Sequence, residues 1–379
     1  MPVVLFLNGP IQNSDFTFHN TPGKAVGLRL ASTLNGILGL PEAPHLWNTV
    51  MLAGDVLHRD QVHAGFAPLP RRSFEHARLM GKYTPDLPPP PELITDAEPA
   101  VATLALDMID TRLSRGSLRI ERRTLQECAS CGHMIGPVAT WCTACGGARL
   151  RTHRSRHLVH DLTDADLSMS GRVHGHHRKR HRHVDAMSAQ VPRCLLLSRT
   201  RSHGIRLDPL GLDGLVLDPR TGLHVTVLSA AQKAGATEVA MTATTRAVSH
   251  IAAHGLGFTS WRGHRLRYAI HGHIPYQEMP ALERMYTFHG VTARERQVFE
   301  ARFLPLIAWQ NKGGTHPAQL APLLKYFLKV HRGPPVSADA GRLDRIREEV
   351  GRGGTSWVMN KHLLAAVMEE PVERTANRV

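Results

Sequence analysis

Two closely spaced pairs of cysteines constrain the middle of this chain. Cys128 and Cys131 form one C-x2-C pair, and Cys142 and Cys145 form another after ten intervening residues. A C-x2-C turn directs two thiolates at one centre, and two such turns complete a tetrahedral all-sulfur site for zinc. Because four protein ligands leave no open position, we expect the metal to be structural. Such knuckles occur in nucleic-acid binders and in enzyme insertions, so the module leaves the function open.

Length and composition allow a large folded protein. The chain has 379 residues, 42% of them apolar, which is enough for two or three domains with sizeable cores. No run of about 18 apolar residues is present, so we expect neither a membrane span nor a membrane partner. The apolar N-terminus lacks a basic region and favours a buried strand over a signal peptide. Five cysteines, four assigned to metal, indicate a reducing cytoplasm, and Cys194 is expected to be a buried free thiol.

Basic residues are abundant. The formal net charge is +14, and 25 histidines are also present. Such a surface favours polyanions such as RNA or nucleotides, although a general basic bias without a specific partner would give the same charge. Residues 149–183 are dense in charge and end in the run HGHHRKRHRH. Three interpretations of this segment stay open: an RNA phosphate patch, an adventitious transition-metal site, and a mobile, solvated loop.

Hydrophobic periodicity predicts alternating strands and helices on both sides of the cysteines. Before them we predict a strand over 3–7, a helix over 24–34, a strand over 47–54, a proline-rich linker over 84–97 and a helix over 98–114. After them we predict a strand over 223–231, a helix over 236–253, a strand with its exit loop over 266–276, and helices over 278–288, 297–309, 319–330 and 340–369. The first strand ends at Asn8-Gly9-Pro10, where an open α/β sheet binds ligands.

This pattern predicts an α/β fold: a doubly wound parallel sheet with an inserted zinc-knuckle module and a short helical C-terminus. The predicted domains are the first half of a nucleotide-binding domain (1–115), the inserted module with its basic, histidine-rich loop (116–200), the second half of the nucleotide-binding domain (201–335) and a helical C-terminal segment (336–379).

The order of these parts resembles that of the class I methionyl-tRNA synthetases over roughly residues 3–335. Asn8-Gly9-Pro10-Ile11 resembles the family segment that leads into its H-x-G-H signature. The other similar segments are 154–162 (the R-x-x-x-H-x-F-x-x-L stretch), 205–219 (R-D-L-x-W-G-I-P), 225–231 (the strand with W-F-D-A-P), 270–277 (G-K-D-N-I-P-F-H) and 317–328 (P-D-A-L-R-Y-Y-L). Their common order, with the knuckles in the expected place, carries the resemblance, which implies a class I synthetase-type nucleotide-binding fold.

The family's signature residues are replaced in this chain. Without a gap, the H-x-G-H positions fall on residues 12–15, read as Gln-Asn-Ser-Asp; with an inserted loop they fall on residues 21–24, read as Thr-Pro-Gly-Lys. The second alignment keeps a glycine, Gly23, and supplies Lys24 at a helix N-terminus, a favourable place for phosphate. The aspartate of W-F-D-A-P becomes Ser229. The chain after residue 335 is too short for the family's helical anticodon-binding domain, which we expect to be missing.

Two further signatures are altered. The lysine and aspartate of G-K-D-N become His271 and Gly272, while Pro275 and an aromatic, Tyr276, remain. The K-x-S-K-S loop is reduced to residues 309–314, which retain one lysine, Lys312.

The resemblance implies a ligase that activates an amino acid with ATP and magnesium and transfers it to tRNA or to a non-tRNA acceptor. Lys24 and Lys312 are then the candidate catalytic residues. The candidate cofactor-binding residues are Asn8, Gly9, Pro10, Gly23, His271, His273 and Tyr276. The alternative is a catalytically dead synthetase paralogue that acts as an RNA- or protein-binding module. An unrelated zinc-ribbon nucleic-acid binder would not explain the α/β pattern on both sides of the knuckles.

Overall fold

A computed structural model describes residues 4–9, 22–47, 92–96, 98–136, 138–142, 145–168, 171–175, 182, 184–187, 189–201, 204–311, 314–333 and 340–368. Several predicted features lie outside these residues: Pro10, Lys312, the loop at 11–21, residues 48–54, most of the proline-rich linker and most of the histidine run.

The described strands and helices alternate over much of the chain. The strands are β1 (Val4–Asn8), β2 (His45–Trp47), β3 (Leu93–Thr95), β4 (Leu118–Cys128), β5 (Met134–Ile135), β6 (Leu150–Asp161), β7 (Cys194–Leu196), β8 (Ser198–Arg199), β9 (Val216–Leu217), β10 (Glu238–Thr244), β11 (Ser260–Trp261) and β12 (His264–His271). The α-helices are α1 (Pro22–Leu38), α2 (Pro99–Ser114), α3 (Asp164–Leu167), α4 (Pro219–Lys233), α5 (Thr245–Gly255), α6 (Glu283–Phe288), α7 (Ala293–Val298), α8 (Leu304–Gln310), α9 (Leu320–His331), α10 (Ala340–Arg352) and α11 (Lys361–Met368).

A parallel sheet lies at the centre of the fold. Strands β1, β10 and β12 run parallel in that order, and β11 joins β12 as an antiparallel hairpin. Strands β2 and β3 form a parallel pair. This pair lies beside β1, because the side-chain amide of Asn8 bonds to the main chain of Leu46. The resulting order, β3-β2-β1-β10-β12, places the two halves of the chain on either side of β1, as in a doubly wound fold.

Both faces of the sheet are covered by helices. Val4 and Phe6 on one face of β1 belong to a core shared with α1, α8, α9, α10 and α11. Leu5 and Leu7 on the other face belong to a core shared with α2, α4 and α5. Because both faces are buried, the strand is a continuous apolar run without polar alternation. The predicted α/β class with a parallel sheet and a helical C-terminus is confirmed.

Two predicted elements between residues 219 and 255 are wrong. The strand expected over 223–231 is part of helix α4, which Asp218 caps through a hydrogen bond from the main-chain nitrogen of Arg220, with Pro219 at its first position. A helix buried on nearly all sides has the same continuous apolar run as a buried strand. The helix expected over 236–253 begins only after Thr244, because residues 238–244 form β10. The similarity of 225–231 to a family strand therefore fails, and Ser229 does not stand for its aspartate.

The cysteines lie at the end of a long antiparallel ribbon. Strands β4 and β6 pair along their length from Leu118–His160 to Cys128–Leu150, and β5 and β7 extend the sheet. The first part of the segment 149–183 is thus strand, so the loop interpretation is wrong for residues 150–161. Cys194 is exposed, not buried, and its sulfur accepts a hydrogen bond from Arg123. The division into four domains stays a prediction.

None of the described helices is both long enough and apolar enough to cross a membrane.

Candidate functional site

The central strands end side by side at one edge of the sheet. In the register of the sheet, Asn8 on β1 is opposite Thr242 on β10, and Thr244 is opposite His271 on β12. The carboxyl ends of parallel strands, at the point where the strand order reverses, form the crevice in which doubly wound folds bind ligands. We therefore take this edge, which we call the carboxyl edge, as the first candidate site.

Gly9 brings the loop after β1 against β10. A Cβ atom at this position would lie 2.0 Å from the main-chain oxygen of Thr242. Only glycine permits so close an approach of the two backbones. The role that geometry assigns to Gly9 is to let the end of β1 lie directly against β10.

Asn8 uses its side chain to order the strands. Its Nδ2 donates to the carbonyl oxygens of Leu46, at 2.8 Å, and of Gly9, at 3.1 Å. Its Oδ1 accepts from the main-chain nitrogen of Leu46 at 2.8 Å. The amide is 2% exposed and is directed at the main chain, so a cofactor contact by Asn8 stays a prediction.

Helix α1 begins at this edge. Its residue Gly27 accepts a hydrogen bond of 2.9 Å from the hydroxyl of Thr242, near the end of β10. The helix starts at Pro22, so Gly23 and Lys24 are in its first turn, although the side chain of Lys24 lies outside the described part of the chain. A helix N-terminus presents unpaired main-chain N–H groups and partial positive charge, which favours an anion. The helix predicted over 24–34, with Pro22 near its start, is confirmed.

His271 is packed between β12 and helix α1. A Cβ atom at Gly27 would lie 3.5 Å from its Nε2. Its Nδ1 lies 2.7 Å from the carbonyl oxygen of Gly272 and donates to it, so Nδ1 carries a proton. The side chain is 1% exposed. His271 therefore lies under the first turns of α1. Its position at the end of a strand predicted a place at the carboxyl edge, but not the contact with α1.

Two segments that resemble separate signatures meet at this edge. The main-chain nitrogen of Gly272 donates to Ala308, and that of Thr315 donates to His273, over 2.8 and 2.9 Å. A Cβ atom at Gly272 would lie 2.1 Å from the nitrogen of Gly314. The backbone of residues 272–273 is thus interlocked with that of Asn311, Gly314 and Thr315. We call this contact the glycine junction.

The remaining predicted residues are placed less completely. His273 is exposed at the glycine junction. Tyr276 begins a short 3-10 helix, Tyr276–Leu282, but its side chain lies outside the described residues. Pro10 and Lys312 also lie outside them. The structure therefore places Gly9 against Thr242 and His271 against Gly27 in the second turn of α1, with His273 at the glycine junction.

The four paired cysteines form a compact sulfur cluster. Their Sγ atoms all lie within 4.8 Å of one another, with 3.5 Å between Cys128 and Cys145 and 3.6 Å between Cys131 and Cys142. A tetrahedral zinc with Zn–S bonds of about 2.3 Å needs sulfurs about 3.8 Å apart. The donor set and its spacing fit zinc. A zinc ion here is expected to be structural, because the four cysteines fill all of its coordination positions.

The main chain of each knuckle is shaped for metal binding. Gly132 and Gly146 have positive φ and donate their N–H groups to the carbonyl oxygens of Cys128 and Cys142. Main-chain hydrogen bonds from Cys131 and Ser130 lower the pKa of the Cys128 thiol to about 6, whereas burial raises the pKa of the neighbouring Cys131 thiol, so Cys128 is the first of these two to lose its proton. A lowered thiol pKa favours the thiolate, which is the form that binds zinc.

One buried network was not predicted. Asp218 has no exposed surface and accepts hydrogen bonds from Arg220 and, at 2.8 Å, from Nε of Arg199. Burial by itself would raise the pKa of Asp218, but the hydrogen bond from Arg220 and the charge of Arg199 outweigh it and hold the pKa below its usual range. The network joins β8 to helix α4. The Asp-Pro pair at a helix start was the available signal.

The β4–β6 ribbon has two faces of different charge balance. On one face, Arg119 and Arg123 pair with Glu121, and Arg151 pairs with Glu127. Side chains alternate between the faces, so the other face carries Arg122, Arg154 and Arg156, which are exposed. We call these three residues the arginine face. None of them forms an ion pair with a carboxylate in the described parts of the chain, which makes this face a candidate surface for a polyanion.

Comparisons with known proteins give a fold and no sequence relative. No protein-family model matches the chain, and no curated protein matches its sequence. Solved structures of methionyl-tRNA synthetase from Mycobacterium tuberculosis do match. The enzyme bound by methionyl-adenylate gives a TM-score of 0.56 at 10% identity, covering 96% of this chain and 82% of that chain. A second complex with methionyl-adenylate gives 0.56 at 9%, covering 97% and 82%, and the apo form gives 0.53 at 10%, covering 97% and 80%. The chain therefore has a methionyl-tRNA-synthetase-like fold, with a four-cysteine cluster suited to zinc.

Proposed function

We propose that this protein is an ATP-dependent ligase that forms an aminoacyl-adenylate at the carboxyl edge of its sheet. The observation that supports this most is the glycine junction: two segments that resemble nucleotide-binding signatures interlock beside His271 and the start of α1. Two of the similar solved structures contain methionyl-adenylate. That ligand belongs to those proteins, and an adenylate here is our inference.

The chemistry requires charge stabilisation at the α-phosphate. An oxygen of the amino-acid carboxylate attacks the α-phosphorus of ATP, the bond to the bridging oxygen breaks, and pyrophosphate leaves with magnesium. The acyl group then passes to a hydroxyl of tRNA or to a non-tRNA acceptor, and AMP is released. Lys24, on the first turn of α1, and Lys312 supply positive charge for these phosphates, and the N–H groups at the start of α1 add to it.

The other predicted residues shape the site. Gly9 and Gly23 permit close approach of the nucleotide to the main chain, with Asn8 and Pro10 beside them. His271, His273 and Tyr276 bind the nucleoside or amino-acid portion. The cysteines at 128, 131, 142 and 145 hold zinc, which supports the fold of the knuckles and takes no part in the reaction.

A second candidate function is a binding module that has lost the chemistry. The arginine face favours it, because three exposed guanidinium groups on one side of a ribbon, without a described carboxylate partner, suit a nucleic-acid backbone better than a small substrate. RNA is then the partner, bound largely through its phosphates. A partner protein is the remaining form of this candidate.

Amino-acid-dependent exchange of pyrophosphate into ATP tests the first proposal. We expect exchange with one of the twenty amino acids in zinc-replete protein, and a loss of about 100-fold or more in Lys24→Ala and in Lys312→Ala. Lys325→Ala, an exposed lysine on α9, is the matched control and should leave the rate unchanged. Absence of exchange with every amino acid, with and without tRNA, would contradict the ligase.

Binding of RNA tests the second proposal. If the arginine face holds phosphates, the affinity should fall steeply as salt rises. Replacing Arg122, Arg154 and Arg156 together by Gln should make that slope shallower, by about one unit for each phosphate that these side chains neutralise. A slope that is equal in the wild type and the variant would exclude this face as the RNA site.

A further inference from the structure

A cavity of about 610 Å³ lies at the edge of the sheet opposite the glycine junction. One side comes from the end of helix α2, and the other comes from the hairpin of β11 and β12. Its principal residues are Arg112, Arg115, Trp261, Arg262, His264 and Arg265. We call it the arginine cavity.

The arginine cavity is separate from the proposed adenylation site. In the register of the sheet, Arg265 on β12 lies opposite Glu238, near the beginning of the parallel strands. His271 lies six residues further along β12, at the carboxyl edge. Six residues of strand span about 20 Å. A ligand in the cavity would therefore not occupy the adenylate crevice.

The charges that line the cavity are unbalanced. Four arginines and a histidine face one small volume, and no Asp or Glu is among the lining residues. Arg265 donates to the neutral carbonyl oxygen of Gly171, and Arg112 lies over the ring of Phe258, 5.0 Å from its centroid. No lining arginine forms an ion pair with any carboxylate that the structure describes. Like charges gathered this closely repel one another; the carboxylate of Asp166 offsets part of this repulsion at Arg112, and a bound anion would relieve more of it.

Arg112 is also partly removed from water. Burial lowers its pKa, Asp166 opposes the effect, and the charges of Arg115 and Arg172 add to it. Arg112 is thus a partly desolvated cation. Bonds from such a group to an anion are stronger than those from an arginine in open water.

The backbone at Arg262 supports a role for its side chain. Arg262 has φ 44° and Gly263 has φ 89°, so they form a two-residue hairpin turn in which both residues are left-handed. Asn-Gly and Gly-Gly are the pairs that adopt this turn most readily. Among the described residues, Arg262 is the one non-glycine with positive φ. Its guanidinium lies 5.3 Å from the ring centroid of Trp261, at the cavity wall, so a strained position carries a charge that faces the cavity.

We propose that the arginine cavity binds a compact di- or triphosphate group, either as inorganic polyphosphate or as part of a nucleotide. Guanidinium groups bind phosphate oxygens in pairs and remain charged at all ordinary pH values. The volume is within the range of small-molecule sites. Trp261 supplies an aromatic ring at the cavity wall, a type of side chain on which nucleobases stack.

Titration of the full-length, zinc-replete protein with inorganic tripolyphosphate tests the proposal. Calorimetry at about 0.15 M salt limits binding by general attraction. We expect a saturable site that Arg115→Gln combined with Arg262→Asn weakens by about tenfold or more. Arg262→Asn keeps a residue that suits the turn, so loss of binding would not come from a broken hairpin.

Two controls separate this site from other positive surfaces. Arg122→Gln combined with Arg156→Gln removes the same charge from the ribbon and should leave the tripolyphosphate site of the cavity intact. Lys24→Ala removes the proposed phosphate contact of the adenylation site, so the cavity variants compared in a Lys24→Ala background report the arginine cavity alone. Equal weakening in the ribbon variant, or absence of saturable binding, would overturn the proposal.

A parallel titration with GTP identifies the source of the phosphates. Tighter binding of GTP than of tripolyphosphate, with the difference removed by Trp261→Ala, supports a nucleotide. Equal binding of the two supports the polyphosphate group alone. Because Lys24→Ala affects adenylation and not this cavity, failure of pyrophosphate exchange would leave the result unchanged.

Discussion

Asn8 and Leu46 exchange two hydrogen bonds of 2.8 Å, one in each direction, between a side-chain amide and a main chain. The amide of Asn8 thereby takes the place of a peptide group and attaches β2 to β1. Asn35 on α1 repeats the arrangement with Phe6, through bonds of 2.8 and 2.9 Å. Two asparagines thus attach strand β1 to its neighbours, Asn8 to β2 and Asn35 to α1.

Asn8→Ala should lower the free energy of unfolding by about 2 kcal/mol, because the main-chain groups of Leu46 lose their partner inside the protein. Urea unfolding followed by circular dichroism measures the change. Gln190→Ala, at an exposed position, should change it by less than about 0.5 kcal/mol. Equal stability of the Asn8 variant and the wild type would mean that β2 is attached in another way.

Gly9→Ala should destabilise the protein by about 3 kcal/mol, because its methyl group would meet the main-chain oxygen of Thr242. Gly36→Ala is the matched control. This position is on α1 with no atom within 4 Å of an added Cβ, so alanine should leave stability unchanged or raise it by up to about 1 kcal/mol. Thermal unfolding of the two variants compares them directly; similar melting temperatures would show that β1 and β10 separate easily at this point.

Cys131→Ser should reduce bound zinc and lower the melting temperature of the knuckles, because three thiolates no longer close the site. Cys194→Ser should keep the full zinc content, since Cys194 is outside the cluster. Metal analysis by mass spectrometry, combined with calorimetry before and after chelation, measures both effects. An unchanged melting profile after verified removal of zinc would contradict a structural site.

Stability should decrease as pH falls from about 6.5 to about 4, in part because of His224. Burial and the charge of Arg172 lower its pKa to about 4, against a raising effect from its bond to Arg220. Its Nδ1 donates to the carbonyl oxygen of Arg220, and its Nε2 accepts from Tyr268 over 2.8 Å. The neutral ring is therefore the folded form.

The direction of this pH dependence follows from the number of protons bound by the folded and unfolded protein. Between these pH values the unfolded histidine is protonated and the folded one is not, so acid favours unfolding; above about 6.5 the contribution is complete. His224→Gln should reduce the slope of unfolding free energy against pH by nearly one proton, or about 1.4 kcal/mol per pH unit. His362→Gln, at an exposed histidine, should leave the slope unchanged. Equal slopes in all three proteins would show that His224 is protonated in the fold.

Some features follow from spacing within a short segment. Two C-x2-C pairs require a common centre whatever surrounds them, so the sulfur cluster could be predicted. The same holds for β1, for α1 with its proline start, and for β12, because their apolar runs end at clear turn signals. The shared order of segments also indicated a synthetase-like fold, which the structural comparison confirms.

Other features depend on which segments meet. The sequence predicts a strand where helix α4 lies and a helix where strand β10 lies. Both predictions are wrong because a helix buried on all sides and a buried strand have the same apolar composition. The glycine junction joins positions about 40 residues apart, where only close contact of two backbones explains the glycines.

The amino-acid sequence by itself determined the zinc-type cluster, the alternation of strands and helices, and the charge. The tertiary structure decided that Asn8 orders the strands, that His271 lies under α1, and which of the described arginines form no ion pair with a described carboxylate. Local spacing determines the first group, whereas the second depends on long-range packing and on the alternation of side chains between the faces of paired strands.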